Sequence, residues 1–310
     1  MRRLAVLLAA AVIATPALAQ DKSKVEITVE RVAPGIAVLF GSGGNIGLSY
    51  GEDGNVVIDD QYAELAPRIL AAVSTLDPDP VRFLINTHWH GDHTGGNVAM
   101  GESGAIIVAH DNVRRRLAID TFFKTMNQHI KATPKAGLPV VTFTRELSLN
   151  LNGDKLQVIH VANAHTDGDA IIYWTNANVI HMGDTFFHKA TYPFIDRESG
   201  GSIDGMITAV NRGLEILKPG GKAIPGHGPV ATVAELRAYR AMLVDVRAKV
   251  AAGVRAGRTK AAVVASKPTA AYSGIARDGF ITPDNFVGGI YDELKAKLRA
   301  GTLRTSRQAS

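Results

Sequence analysis

Short apolar runs, separated by glycine, proline, asparagine and aspartate, recur along most of this chain. Runs of that length bounded by turn residues read as buried strands. Val25-Glu26-Ile27-Thr28-Val29-Glu30 alternates apolar and polar positions, the period of a half-buried strand. Ile36 to Phe40 is continuously apolar, and Asn45 to Tyr50 and Asn55 to Asp59 continue the series. Between Phe40 and Asn45 lies Gly41-Ser42-Gly43-Gly44, read as a hairpin turn or mobile flap. A phosphate cradle would need a helix start or a lysine after it, and neither follows. Leu65, Ile69, Leu70 and Val73 recur at helical spacing until Asp77-Pro78-Asp79-Pro80 breaks the helix. Val81 to Asn86 and Ala105 to Ala109 are further strands, and a helix is expected from Asn112 toward Met126.

A second series of strands covers Val140 to Phe143, Leu147 to Leu151, Leu156 to Val161, Ala170 to Trp174, Val179 to Met182 and Lys222 to Ile224. Helical patterns then take over. Thr232 and Glu235 form a capping box ahead of a stripe of Leu236, Tyr239, Leu243, Val246 and Val250, ended by Gly253. Thr282-Pro283 opens another helix, with Phe286, Val287, Ile290 and Leu294 on one face. The class is therefore α/β in the α+β sense: two β-rich halves in one domain, residues 20–230. A helical C-terminal extension, residues 231–310, packs on the same domain.

Composition changes this picture at the N-terminus. Met1-Arg2-Arg3, an apolar run to Ala14 and the small-x-small sequence Ala17-Leu18-Ala19 have the anatomy of a secretory signal peptide over residues 1–19. The expected location is periplasmic or secreted, with no membrane attachment after cleavage. There is no cysteine, so no disulfide framework and no thiolate ligand are available. The net charge of +5 falls to +3 when Arg2 and Arg3 are removed. The remaining basic and acidic residues are interspersed, which argues for solubility and against nucleic acid as a partner.

The chemistry centres on Thr87-His88-Trp89-His90-Gly91-Asp92-His93-Thr94, which follows the strand ending at Asn86. Period two at a strand end puts His88 and His90 on one face, and Asp92 and His93 arrive after the turn at Gly91. Four N and O donors this close would be desolvated and poorly paired unless a cation joined them. Zinc or a comparable divalent ion suits such donors. Three later strand ends each deliver one more: His165, Asp184 and His227. His110, His129, His160 and His181 are read as non-ligands.

The H-x-H-x-D-H motif, with those later residues in the same order, resembles the metallo-β-lactamase superfamily of hydrolases over roughly Val25 to Pro229. The resemblance implies a four-layer αββα sandwich and a dinuclear site. In it His88, His90 and His165 would hold one metal, Asp92, His93 and His227 the other, and Asp184 would bridge them. Asp59 would orient ligands through hydrogen bonds, its alternative role being a helix N-cap. Two Zn(2+) ions are expected, Fe or Mn also fitting the donors.

Such a site would generate hydroxide to attack a substrate carbonyl, with Asp92 orienting it and aiding proton delivery. Tyr192, His188 and Lys189 are the candidate donors to the developing oxyanion. The partner implied is a small molecule with a hydrolysable carbonyl, a β-lactam-like amide or an ester. Lactones and thioesters are the alternative substrates, and a periplasmic metal-binding accessory protein is the alternative outside catalysis. One departure bears on the choice. The common class B β-lactamases carry Cys where this chain has Asp184, and a substrate-gripping Lys where it has Phe187. The oligomeric state is left open.

Overall fold

The computed structural model describes residues 22–275 and 280–302. The expected signal segment, residues 1–19, lies outside them. The first half comprises β1 (Thr28–Ala33), β2 (Ile36–Phe40), β3 (Ile46–Ser49), β4 (Asn55–Ile58), α1 (Ala66–Ser74), β5 (Val81–Ile85), α2 (Gly91–Thr94), α3 (Asn97–Glu102), β6 (Ile106–His110), α4 (Asp111–Leu117), β7 (Thr121–Phe123), β8 (Gln128–Ile130) and β9 (Val141–Phe143). The second comprises β10 (Glu146–Leu151), β11 (Asp154–His160), β12 (Ala170–Trp174), β13 (Val179–His181), α5 (Ile203–Ile216), β14 (Lys222–Ile224), β15 (Ala231–Thr232), α6 (Val233–Arg255), α7 (Lys260–Ala265) and α8 (Pro283–Arg299).

Two large sheets form, in the orders β1-β2-β3-β4-β5-β6-β9 and β10-β11-β12-β13-β14-β15. The continuous apolar runs follow from their position in this stack. In β2, Ile36 and Val38 enter the core between the sheets, while Ala37 and Leu39 enter a core beneath α1. In β12, Ala170, Ile172 and Trp174 face the first sheet, while Ile171 and Tyr173 face the C-terminal helices. A strand covered on both faces has no polar side to show, so alternation disappears. The layers are thus helix, sheet, sheet, helix, the expected αββα sandwich. The helices α5, α6, α7 and α8 share one apolar cluster with the second sheet.

Some elements differ from expectation. β1 begins at Thr28, and Val25 lies before it. The helix expected from Asn112 toward Met126 stops at Leu117 and gives way to the β7–β8 hairpin. Tertiary contacts override the helical pattern there. Phe123 packs on Trp89 at 5.9 Å between ring centroids, and the Glu198 carboxylate accepts the backbone N–H groups of Lys124 and Thr125. Between Phe187 and Lys222, where no element is predicted above, α5 forms. Ser202 caps it, and Ile203, Met206, Ala209, Val210 and Gly213 are its buried residues. The Thr232–Glu235 capping box is present, but α6 runs through buried Gly253 to Arg255.

Candidate metal centre

The site lies where loops leave the strand ends of the two sheets. β5 ends at Ile85, and the following loop carries His88 and His90 before the single turn α2 delivers Asp92 and His93. His165 follows β11, Asp184 follows β13, and His227 follows β14. These seven side chains fall into two groups of potential metal ligands. One is His88, His90, His165 and Asp184; the other is Asp92, His93 and His227. Within each, the donor atoms lie within 4.8 Å of one another.

Asp184 serves both groups. Its Oδ2 lies 3.6 Å from His165 Nε2 and 3.9 Å from His88 Nε2. Its Oδ1 lies 3.1 Å from His93 Nε2 and 3.4 Å from His227 Nε2. Asp92 Oδ2 closes the second group, 3.3 Å from His227 Nε2. Two glycines make room for this crowding. A Cβ at Gly44 would sit 2.1 Å from the His93 ring, and one at Gly226 would sit 2.0 Å from Asp184 Oδ1. The Gly41–Gly44 turn is pinned at that end: Gly44 N–H donates to Asp92 O, and Asn45 N–H to Gly226 O.

The far nitrogens of four histidines are held from behind. Asp59, with φ of 62°, takes His93 Nδ1 on Oδ2 at 2.7 Å and Thr87 N–H on Oδ1 at 2.7 Å. Thr87 Oγ1, itself bonded to Asp59, is 3.0 Å from His88 Nδ1. His165 Nδ1 donates to Phe194 O at 2.8 Å, and His90 Nε2 meets Asp196 Oδ2 at 3.0 Å. Asp169 organises the His165 loop by accepting the backbone N–H groups of His165 and Thr166. The sequence does not announce the parts played by Asp196, Thr87 and Asp169, although Thr87 opens the histidine motif. Each lies in a polar loop, and no spacing rule separates it from an ordinary surface residue.

Burial and charge set the protonation of the bare site. Burial, with His93 beside it, drives His88 well below the ordinary imidazole value. Burial likewise takes His165 down to about 4. In the second group burial works the same way, but the carboxylates overcome it. Asp184 and Asp92 hold His93 well up and His227 at about 10. Burial would raise Asp92 and Asp184, yet the facing imidazoles keep both carboxyls well below their usual range.

The remaining named residues have their own partners, some of them beside the ligands. Tyr192 is buried, stacks on Phe286 and donates its hydroxyl to Tyr272 O at 2.9 Å. His188 Nδ1 is 2.8 Å from Pro229 O, and Lys189 Nζ pairs with Glu235 at 2.7 Å. Phe187 lies flat against His227, with ring centroids 5.5 Å apart. His181 bridges Asn45 O and Gly183 N–H, tying the Asp184 turn to the first half. His110 and His160 stack on each other at 3.8 Å, and His129 packs on Phe122.

The donor set fits divalent metal ions. Three imidazole nitrogens with one carboxylate oxygen, and two imidazoles with two carboxylates, are N/O environments of zinc type. His88 Nε2 is a buried polar atom that hydrogen-bonds no described residue, and it faces Asp184 across the cluster. An orphaned buried acceptor costs about 1–3 kcal/mol, which a bound cation would remove.

Comparisons with known proteins agree with this geometry. The Metallo-beta-lactamase superfamily model matches residues 39–246. Among curated proteins, the 2,4-dinitroanisole O-demethylase subunit alpha of Nocardioides sp. (strain JS1661) is 25% identical over 149 residues. That match takes in 47% of this chain and spans only 42% of the relative's length. A metallo-beta-lactamase from Pontibacter korlensis superposes with a TM-score of 0.58 at 18% identity, covering 71% of this chain and all of its own. A double mutant of the sec-alkyl sulfatase PisA1 gives 0.66 at 16% identity, over 86% of this chain and 50% of that one. With the family model spanning most of the described residues and both His/Asp groups in place, the chain belongs to the metallo-beta-lactamase superfamily of metal-dependent hydrolases.

Proposed function

We propose that this protein is an exported hydrolase that holds two zinc ions and opens a carbonyl compound, a β-lactam-like amide or an ester. The observation that carries the reading is the division of Asp184, one oxygen toward each ligand group. Bound zinc would supply Lewis acidity toward the carbonyl and lower the pKa of the attacking water. His88, His90 and His165 would hold one ion and Asp92, His93 and His227 the other, with Asp184 shared between them. Asp92 is the ligand suited to a second duty. Its side chain is 24% exposed, so its carboxylate can orient water and pass a proton to the leaving group.

A second reading, a lactone or thioester hydrolase, is favoured by one feature beside His227. Buried Phe187 stacks on His227 at the position where a carboxylate-gripping lysine would serve a β-lactam, and Lys189 is already paired with Glu235. A substrate without a carboxylate needs no such lysine. Export rests on the N-terminal pattern alone; N-terminal sequencing of the protein from a periplasmic fraction tests it, Gln20 being the expected first residue. The function is tested by metal analysis of the mature protein with a chromogenic β-lactam, an acyl lactone and a thioester, each with and without chelator. Two metals per chain and chelator-sensitive turnover of one substrate are expected. Failure to bind metal at neutral pH with zinc supplied would sink the reading, and metal without turnover would favour the accessory role.

A further inference from the structure

Beside His90 and His165 stands an aromatic ring that the metal chemistry does not use. Phe194, partly buried, lies along His90 with ring centroids 5.9 Å apart and edge-on to His165 at 5.6 Å. Its outer neighbour is Phe280, which meets it edge-on at 6.1 Å and is itself 57% exposed. Phe280 belongs to the C-terminal extension, beyond the residues 39–246 that match the superfamily. We propose that Phe194 and Phe280 form an apolar shelf for the acyl side of the substrate, so that the protein favours an ester, lactone or thioester with an apolar acyl chain. The inference rests on the hydrolase reading of the site and adds to it the class of substrate.

Hydrogen bonds seat the extension against the segment that carries Phe194. Thr191 Oγ1 accepts Ile281 N–H at 2.9 Å, and Tyr192 donates its hydroxyl to Tyr272 O at 2.9 Å. Tyr272 in turn donates to Asp245 of α6 at 3.0 Å. Thr191 and Tyr192 are both buried, so water competes poorly for these bonds. On its other side Phe194 is backed by Phe123 of the β7–β8 hairpin at 6.3 Å. A large ring left more than half exposed beside such a fixed neighbour keeps its hydrophobic stabilisation for whatever covers it. Position decides which part of a substrate that is. Asp92 passes a proton to the leaving group, which therefore lies toward the second ligand group. The acyl side then points toward His90 and His165, where the shelf stands, continuous with the site.

The test reads binding apart from turnover. Alkyl hydroxamates grip a bound divalent ion through their oxygens and carry an acyl chain with no ester bond to break. In the zinc-loaded protein, affinity by calorimetry should rise about threefold per methylene from acetohydroxamate to hexanohydroxamate, the gain from burying each methylene in part. Phe280→Ala should lower the ratio of hexano to aceto affinity by about tenfold, and Phe280→Leu, which keeps apolar area, by less than about threefold. The wild-type series needs no variant to fold. A flat series with acetohydroxamate bound overturns the shelf and leaves the hydrolase reading standing. A steep series that Phe280→Ala leaves unchanged also overturns it, because the chain then lies elsewhere. Failure of every hydroxamate to bind overturns the shelf together with the metal reading beneath it.

Discussion

The two ligand groups share a carboxylate and yet differ in how they are prepared. His88, His90 and His165 are 1%, 8% and 0% exposed, and burial keeps His88 and His165 neutral. The second group has two carboxylates for two imidazoles, and the side chains of Asp92 and His227 are each 24% exposed. There Asp184 and Asp92 hold protons on His93 and His227. The first group thus offers lone pairs, while the second offers negative charge already partly neutralised by protons. A cation meeting His88 and His165 displaces no proton from them; one entering the second group must displace protons. The more open group is also the side from which water can reach the site.

The largest expected effect removes what the groups share. Asp184→Ala should weaken both metals by more than the roughly 100-fold that losing an orienting partner costs. Chelator titration checks this, and loss of one metal alone would show that the groups are independent. Asp92→Ala should separate them: turnover falls by about 10²–10⁴-fold while the first metal stays bound. Metal analysis of that variant beside its kinetics tests both halves.

Acid should sharpen the contrast further. With His227 near 10 before loading, affinity for the second metal drops about tenfold per pH unit for each proton displaced. The first metal competes with protons on His165 only near pH 4. Bound metal should therefore fall from two to one per chain between pH 8 and 5, and simultaneous loss would break the comparison. The metal-free protein should show the opposite dependence. His227 is raised from 6.5, so its contribution to stability is whole below pH 6.5 and lost as pH rises through about 10. Thermal melts of metal-free and loaded protein over that range would reveal it.

A smaller effect is expected from Asp59→Asn, which should cost the second metal about 10–100-fold through His93, because Asp59 bonds that ring directly. His160→Gln should be smallest. It removes one hydrogen bond to Asp169 O, worth about 1 kcal/mol, and should leave metal content unchanged.

What could be read in the chain and what could not divide along similar lines. His88, His90, Asp92 and His93 are legible because strand and turn geometry place them together locally. His165, Asp184 and His227 are legible because each follows an apolar strand. For Tyr192, His188 and Lys189 the sequence gives only their place after Asp184; the partners Tyr272 O of Tyr192 and Glu235 of Lys189 come from the fold. Phe122 and Phe123 fall within a helical pattern, and only the partners Trp89 and Glu198 make a hairpin of that stretch. Asp196 carries no local signal at all, because its partner lies 106 residues earlier in the chain.

The sequence by itself determined the strand series, the capped C-terminal helices, the donor atoms and so the chemistry of the centre, since these depend on side-chain type and on neighbours along the chain. Only the tertiary structure decided which nitrogen each histidine presents and which carboxylate stands behind it. It also decided that burial keeps His88 and His165 neutral in one ligand group, while the other is more open and holds protons on its imidazoles. Tautomer, burial and field depend on what packs across the interface of two sheets, and no local pattern encodes that packing.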